Sequence, residues 1–416
     1  MISRLYIVSV CLVSLVLLSC GYAYAIPAFA RREGVTRQMC HFRLPELNND
    51  GHEYARRGLR EDPPGLEMNM DPSEQKHPDM NMAPAKPTEM PGMPTAGRHP
   101  QGQPINPNWP KYITVMGHHT FSAETHTRPV FDAGGLDLWV AGHLDAHWTG
   151  LANPSLNLRN GSTAVDQAYG QYITHWADRF GSGRVGQLLP FAILFNQGGP
   201  KMPLSDPLIL SIPADTGYGW TPESFVRGLE LGAVDLKRAT AYLGIGQPKL
   251  EGTILTDQPG FERHTDFYGT GEWLFTPNGD SLTVYGYQGS AWLSPAAPDR
   301  SFHRVGFFGN VSGPSTKATL GFLTGSDEDA AGRSLDNTGY FALVEQLLSN
   351  RWAAYLRYDH LKRDLSTGRT QTLSGPAIGV SWWAQTQVRL TLEGQFLSIS
   401  GENSDNRVMT ELLWAL

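Results

Sequence analysis

The chain has 416 residues and a formal net charge of −7 at pH 7, and 18% of its residues are charged. An acidic balance without a basic cluster excludes nucleic acid as the partner, because phosphate binding needs several lysine or arginine side chains. The content of glycine and tryptophan, 45 and 11 residues, is typical of a membrane β-barrel, in which only alternate strand residues must be apolar.

Residues 1–25 predict a secretory signal peptide. Arg4 precedes an apolar run over 5–18, and Ala23-Tyr24-Ala25 supplies the small residues of a cleavage site. The run is shorter than the roughly 20 apolar residues that a membrane-spanning helix needs. The chain is therefore expected to be exported.

The cysteines exclude a disulfide framework. Cleavage after residue 25 removes Cys11 and Cys20 and leaves Cys40 as the third. A competing interpretation of Leu17-Leu18-Ser19-Cys20 is a lipoprotein box, in which Cys20 becomes a lipidated N-terminus.

Residues 26–60 form a short segment ahead of the barrel. Leu47, Tyr54 and Leu59 are spread among charged and polar positions, which predicts a helix over 44–59. The segment is expected in the periplasm or within the barrel lumen.

Cys40 and His41 form the end of a haem-attachment motif. Covalent attachment uses C-x-x-C-H, in which two thiols bind the haem and the adjacent histidine binds iron. Arg37 occupies the position of the first cysteine, so the motif is incomplete. Two interpretations stay open: a haem held by a single thioether, or a segment that survives only as a plug.

Residues 61–108 predict a flexible linker, because they contain almost no β-branched or aromatic residues to bury. Six methionines fall in three close pairs. Thioether sulfur is a soft ligand suited to Cu(I), so these pairs are candidate copper ligands, with a solvated tether as the alternative. The candidates are Met68, Met70, Met80, Met82, Met90 and Met93.

Residues 109–416 predict an all-β fold, a transmembrane antiparallel up-and-down β-barrel of about 16 strands, with 14 as the alternative count. Segments of about ten residues alternate apolar and polar positions between turn residues. Examples are Leu136 to Trp148, Trp352 to Asp359 and Val388 to Phe396. The last strand alternates outward at Val408, Thr410, Leu412, Trp414 and Leu416, up to the chain end.

Tryptophans near the strand ends predict an aromatic girdle at the membrane interface. The residues are Trp148, Trp176, Trp273, Trp292, Trp382, Trp383 and Trp414. The proline-rich stretch 196–222 is too long for a turn and predicts an external or inward-folded loop.

The N-terminal residues and the layout of the chain together resemble fused monohaem cytochrome–porin proteins of the outer membrane. The matching residues are Phe29-Ala30-Arg31, Gly34, Cys40-His41, Pro45 and Leu47-Asn48. The resemblance implies haem c, with Cys40 as the remaining thioether and His41 as the proximal iron ligand, and implies electron transfer with a periplasmic carrier.

His143, Asp145 and His147 are expected on one face of one strand, at the lumen. They predict a hydrophilic pore lining, with metal or distal iron binding as the alternative. His118 and His119 are adjacent, so they are expected on opposite faces.

The sequence therefore predicts a bacterial outer-membrane protein that conducts electrons through one haem. The alternative is a porin-like diffusion channel for small solutes or metal ions, plugged by a degenerate haem site. Membrane lipid is the surrounding partner in both cases, and an enzyme is disfavoured because no hydrolase or phosphate-loop motif occurs.

Overall fold

The computed structural model describes most of the predicted barrel and a short N-terminal hairpin. The described ranges are 41–43, 46–47, 113–124, 129–145, 147–176, 179–190, 203–211, 220–235, 238–248, 265–276, 280–291, 300–329, 331–385, 388–402 and 404–415. Within these ranges, no helix is both long and apolar enough to cross a membrane.

Eighteen strands and one short helix are formed by the described residues. The strands are β1 His41–Arg43, β2 Glu46–Leu47, β3 Ile113–Glu124, β4 Val130–His143, β5 Trp148–Asn157, β6 Thr163–Trp176, β7 Arg179–Leu188, β8 Val226–Asp235, β9 Ala239–Pro248, β10 Asp266–Leu274, β11 Ser281–Ala291, β12 Arg300–Ser312, β13 Thr316–Glu328, β14 Ser334–Ser349, β15 Trp352–Asp364, β16 Thr370–Gln385, β17 Val388–Ile399 and β18 Asp405–Ala415, and the helix α1 is Leu208–Ser211.

Strands β3 to β18 close into one antiparallel barrel. Each pairs with its neighbours in sequence, and β18 pairs with β3. Closure leaves no strand edge unpaired, as the interior of a lipid bilayer requires. The predicted count of sixteen strands is confirmed.

Alternation along the strands explains the two faces of the wall. In β17, Leu392 is 48% exposed on the outer face, whereas Thr391 and Glu393 are fully buried on the inner face. In β15, Leu356 is 51% exposed and Arg357 is fully buried. The barrel is thus apolar outside and polar inside, as the sequence predicted for both strands.

The two ends of the barrel differ in the lengths of their connections. At the end of the barrel where β3 begins and β18 ends, the connections are short, such as 177–178, 350–351 and 386–387. At the other end, the connections 189–225 and 249–265 are much longer. The barrel therefore has one end with short turns, where β3 begins and β18 ends, and one end with longer loops, as bacterial barrels do.

Several tryptophans of the predicted girdle lie on the outer face, at the end of the barrel with the short turns. Trp148, Trp273 and Trp352 are 37–51% exposed on the outer face, and the ring of Trp352 stacks on that of Trp382 with 6.0 Å between centroids. Trp383 was wrongly included in the girdle. It is buried on the inner face, because it follows Trp382 in a strand and side chains alternate.

Two expectations about local structure were wrong. The segment from Leu136 to Trp148 is not one strand, because β4 ends at His143 and β5 begins at Trp148. The helix predicted over 44–59 is contradicted where it is described, since Glu46–Leu47 pairs with His41–Arg43 as an antiparallel strand. A proline at position 45 of the sequence disfavours the helical conformation of the residue before it, which is the first residue of the predicted helix.

Inward-facing aromatic rings lie flat against glycines on neighbouring strands. The rings are directly opposite these glycines in the pairing register, and a Cβ atom on any of the glycines would lie within 2.4 Å of a ring atom. Glycine therefore provides the space for each ring to lie along the wall. The pairs are Tyr242 with Gly232, Tyr268 with Gly244, Phe302 with Gly289, Phe341 with Gly321, and Tyr355 with Gly379.

Candidate functional site: the barrel lumen

The inner wall of the barrel is rich in charged side chains. Among the described residues, four arginines at most 5% exposed make ion pairs with carboxylates on this wall. A buried charge is tolerated only when it is paired and hydrogen-bonded. The pairs are Arg184–Glu230, Arg304–Asp327, Arg357–Asp359 and Arg389–Glu411.

The connection between β7 and β8 enters the lumen. Its residues 203–211, which we call the lumen segment, include α1 and contact β14, β15 and β17. In the strand order, β15 lies eight strands from β7 in either direction round the ring. The lumen segment therefore crosses to the opposite wall. The prediction for 196–222 left external and inward-folded loops open, and the described part folds inward.

The main polar contact of the lumen segment is with Glu393 at the middle of β17. The carboxylate of Glu393 accepts hydrogen bonds from the backbone amides of Leu204, at 2.8 Å, and Ser205, at 3.2 Å. It also accepts bonds from the Ser205 hydroxyl and from the Tyr355 hydroxyl, the latter at 2.5 Å. Glu393 is fully buried, and these donors compensate its charge.

Arg357 on β15 binds the same stretch of the lumen segment. Its guanidinium donates to the backbone oxygens of Ser205 and Asp206 and to the Ser205 hydroxyl at 2.8 Å. Asp359 orients the guanidinium through a 2.7 Å bond to Nε and accepts a 3.3 Å bond from the amide of Leu208. We call Tyr355, Arg357, Asp359 and Glu393 the latch.

Apolar packing holds the other side of the lumen segment. Leu208, Ile209 and Leu210 are each at most 6% exposed and belong to the main buried cluster with Phe341 and Tyr355. A Cβ atom at Gly339 of β14 would lie 2.5 Å from the Cγ2 methyl of Ile209. The segment is therefore fixed to the wall by both polar and apolar contacts.

An ion pair stands at the start of the same connection. Arg184 of β7 donates to Glu230 of β8 through Nε at 2.9 Å and also through Nη2. Nη2 donates in addition to the backbone oxygen of Leu189, just after β7, at 3.0 Å. The guanidinium lies 5.2 Å from the ring centroid of Tyr169. This pair joins β7 to β8 and holds the first residues of the connection.

The end of the connection packs on aromatic residues of β11 and β12. The ring of Trp220 lies 4.4 Å from that of Tyr287 and 4.7 Å from that of Phe302, measured between centroids. Arg304 lies 5.7 Å from the Trp220 ring. Trp220 is 1% exposed. The connection thus contacts the wall at a second place.

The predicted histidine cluster does not share a strand. His143 ends β4 on its inner side, with Nδ1 3.4 Å from the Thr149 hydroxyl. Asp145 lies in the following turn and accepts bonds from the amides of His147 and Trp148. The Nδ1 atom of His147 is 2.9 Å from the backbone oxygen of Ile173. Within the described residues, no group of three potential metal ligands is brought together.

The adjacent pair His118 and His119 behaves as predicted. His118 lies 3.9 Å from Asp137 of β4, whereas His119 lies 3.5 Å from the indole nitrogen of Trp414. These partners are on opposite faces of the wall.

Several predicted ligands lie outside the described residues. Cys40 and the six linker methionines are among them, and His41 is described only as part of the β1–β2 hairpin. Trp292 of the predicted girdle is also outside.

The latch was the main feature that sequence reasoning missed. Alternation placed Arg357, Asp359 and Glu393 on the polar face of their strands, but no local signal indicated a partner more than 150 residues away. The available signal in the sequence was Arg357, a charged residue that faces inward between the outward-facing Leu356 and Tyr358.

Solved structures with a similar fold are outer-membrane proteins. No protein-family model matches the chain, and no curated protein matches it. OmpT of Vibrio cholerae, expressed in the outer membrane, superposes with a TM-score of 0.55 at 7% identity over 73% of this chain and 97% of that one. The anion-selective porin from Comamonas acidovorans superposes with a TM-score of 0.52 at 13% identity, over 73% of this chain and 99% of that one. The outer membrane channel DcaP of Acinetobacter baumannii superposes with a TM-score of 0.51 at 12% identity, over 73% of this chain and 96% of that one. The chain has the fold of outer-membrane porins.

Proposed function

We propose that the protein is an outer-membrane diffusion channel for small hydrophilic solutes, narrowed by the lumen segment. The observation that carries the proposal is the crossing of residues 203–211 to the wall opposite β7, where the latch binds them. A closed barrel with a charged inner wall provides a polar path through the membrane, and a segment across it restricts the width of that path.

The charges on the wall determine which solutes pass most readily. Paired arginines and carboxylates give the lumen strong local fields, although each pair is nearly neutral in sum. Solutes with their own polar groups exchange water for these side chains during passage. Ions and small polar metabolites are therefore the proposed substrates, and membrane lipid surrounds the outer face.

Conductance tests the proposed channel directly. We expect the purified, folded chain to insert into a planar lipid bilayer and to give stepwise ionic currents, because the polar lumen crosses the bilayer. Heat-denatured protein at the same concentration is the control. A barrel that inserts, as judged by protease protection in vesicles, but passes no current at any voltage would refute the channel.

Electron transfer is a second candidate function, carried by Cys40-His41 and by the resemblance to cytochrome–porin proteins. In this proposal Cys40 forms one thioether to haem and His41 binds the iron. A haem bound there would supply a one-electron carrier. The chain would then exchange electrons with a periplasmic partner.

A haem stain distinguishes this second function from a plain channel. We expect chain produced together with the haem-attachment machinery to stain, and to keep its Soret absorbance after acid–acetone extraction, because a thioether bond resists extraction. The Cys40→Ser variant is the matched control and should lose the absorbance on extraction. Absence of both signals from the unmodified chain would rule out covalent haem.

A further inference from the structure

Three aromatic rings on adjacent strands form a flat surface on the inner wall. The rings of Tyr287 and Phe302 are 5.7 Å apart and inclined by 19°, and Tyr268 continues the row at 6.1 Å and 9° from Tyr287. The rings of Tyr268 and Phe302 lie against Gly244 and Gly289, so their faces point away from the wall. We call these three residues the aromatic platform.

Charged groups stand beside the aromatic platform. The carboxylate of Asp266 accepts a 2.6 Å bond from the Tyr287 hydroxyl and a 3.2 Å bond from the amide of Ser290. Arg304 is paired with Asp327 and lies 5.7 Å from the ring of Trp220. An apolar surface bordered by a few fixed polar groups is the usual composition of a small-molecule site.

A residue that does not belong to the wall packs on two of the three platform rings, inclined to them by 42° and 45°. Trp220 comes from the β7–β8 connection, and its ring contacts Tyr287 and Phe302. Its indole nitrogen is buried and has no hydrogen-bond partner among the described residues. A buried N–H group without a partner weakens the covered arrangement relative to one in which the occupant is fully satisfied. The aromatic platform therefore accommodates the apolar ring of Trp220 but provides no acceptor for its indole N–H group.

We propose that the aromatic platform is a binding subsite for planar aromatic solutes, and that Trp220 is its resident occupant. The proposal rests on the proposed channel for access of the solute, but binding to the platform does not require conduction. A tethered Trp220 competes with a free solute at a high effective concentration, so its removal exposes the subsite.

Equilibrium dialysis of radiolabelled indole against the detergent-solubilised barrel tests the subsite. We expect Trp220→Ala to bind indole about tenfold more tightly than the unmodified chain, since one aromatic contact pair becomes available to the solute. Adding Phe302→Leu to Trp220→Ala should abolish the gain. Trp352→Ala, which removes a tryptophan from the outer girdle, should leave binding unchanged.

Trp220→Leu provides a second variant that keeps apolar volume at this position, and resistance of the folded band to SDS at room temperature checks that each barrel is intact. Equal indole binding by the unmodified chain and both folded Trp220 variants would overturn the proposal, as would a gain that survives Phe302→Leu. Indole binding by Trp220→Ala in a protein that carries no current would refute the channel and keep the subsite.

Discussion

Replacing Arg357 with methionine is expected to release the lumen segment and to raise the conductance of the channel. The substitution removes the donors to Ser205 and Asp206 and leaves Asp359 and Glu393 buried without the guanidinium beside them. Loss of one partner of a buried charge network costs about 3–5 kcal/mol, which lowers the ratio of latched to released segment by more than about a hundredfold. Single-channel recording in planar bilayers measures the change.

Arg363→Met is the matched control for this variant. Arg363 lies on the same strand and the same face, six residues from Arg357, but binds Gln371 on the neighbouring strand through a 3.0 Å bond. Its replacement should leave the conductance unchanged. Ser205→Ala should give a smaller effect in the same direction, because it removes only one hydroxyl shared by Arg357 and Glu393. A folded Arg357→Met barrel with the original conductance would show that the latch does not hold the constriction.

Replacing Arg184 with methionine is expected to destabilise the barrel by about 3–5 kcal/mol, because Glu230 then remains as a buried carboxylate without its ion pair. The pair joins β7 to β8, and Arg184 also binds Leu189 at the start of the long connection. Its loss therefore also releases the first residues of the connection that enters the lumen. Urea-induced unfolding in lipid vesicles, followed by the gel mobility of the folded band, measures the free energy of unfolding.

Two further variants define the cause of this loss. Arg179→Met removes the cation of another ion pair between β7 and β8. Arg179 is 58% exposed and lies 3.5 Å from Asp235, so we expect the free energy of unfolding to change by less than about 1 kcal/mol. The double variant Arg184→Met, Glu230→Gln should recover much of the loss, since it removes both charges. A single variant as stable as the Arg179 control would contradict the role assigned to the buried pair.

The wall of the barrel was largely predictable from the sequence. Strand β15 shows why: Leu356 and Tyr358 alternate with Arg357 and Asp359, and lipid and water demand opposite chemistry on the two faces of one strand. The strand count followed from repetition of this local pattern and from the requirement for an even number.

Errors occurred where the local pattern was ambiguous. The alternation from Leu136 to Trp148 continues through the turn, so it did not show that Asp145 ends the strand by accepting bonds from the amides of His147 and Trp148. Trp382 and Trp383 are adjacent, and only the strand register decides that the first contacts lipid and the second the interior.

The sequence by itself determined the fold class, the alternating faces and the inward direction of Arg357 and Glu393, because side-chain direction in a strand depends on a period of two residues. Only the tertiary structure decided what these side chains bind. Ser205 and Glu393 are 188 residues apart and meet because the barrel closes, so that the lumen segment after β7 can cross the interior to the wall that contains β17. Closure is a property of all sixteen pairings together, so no local pattern contains it.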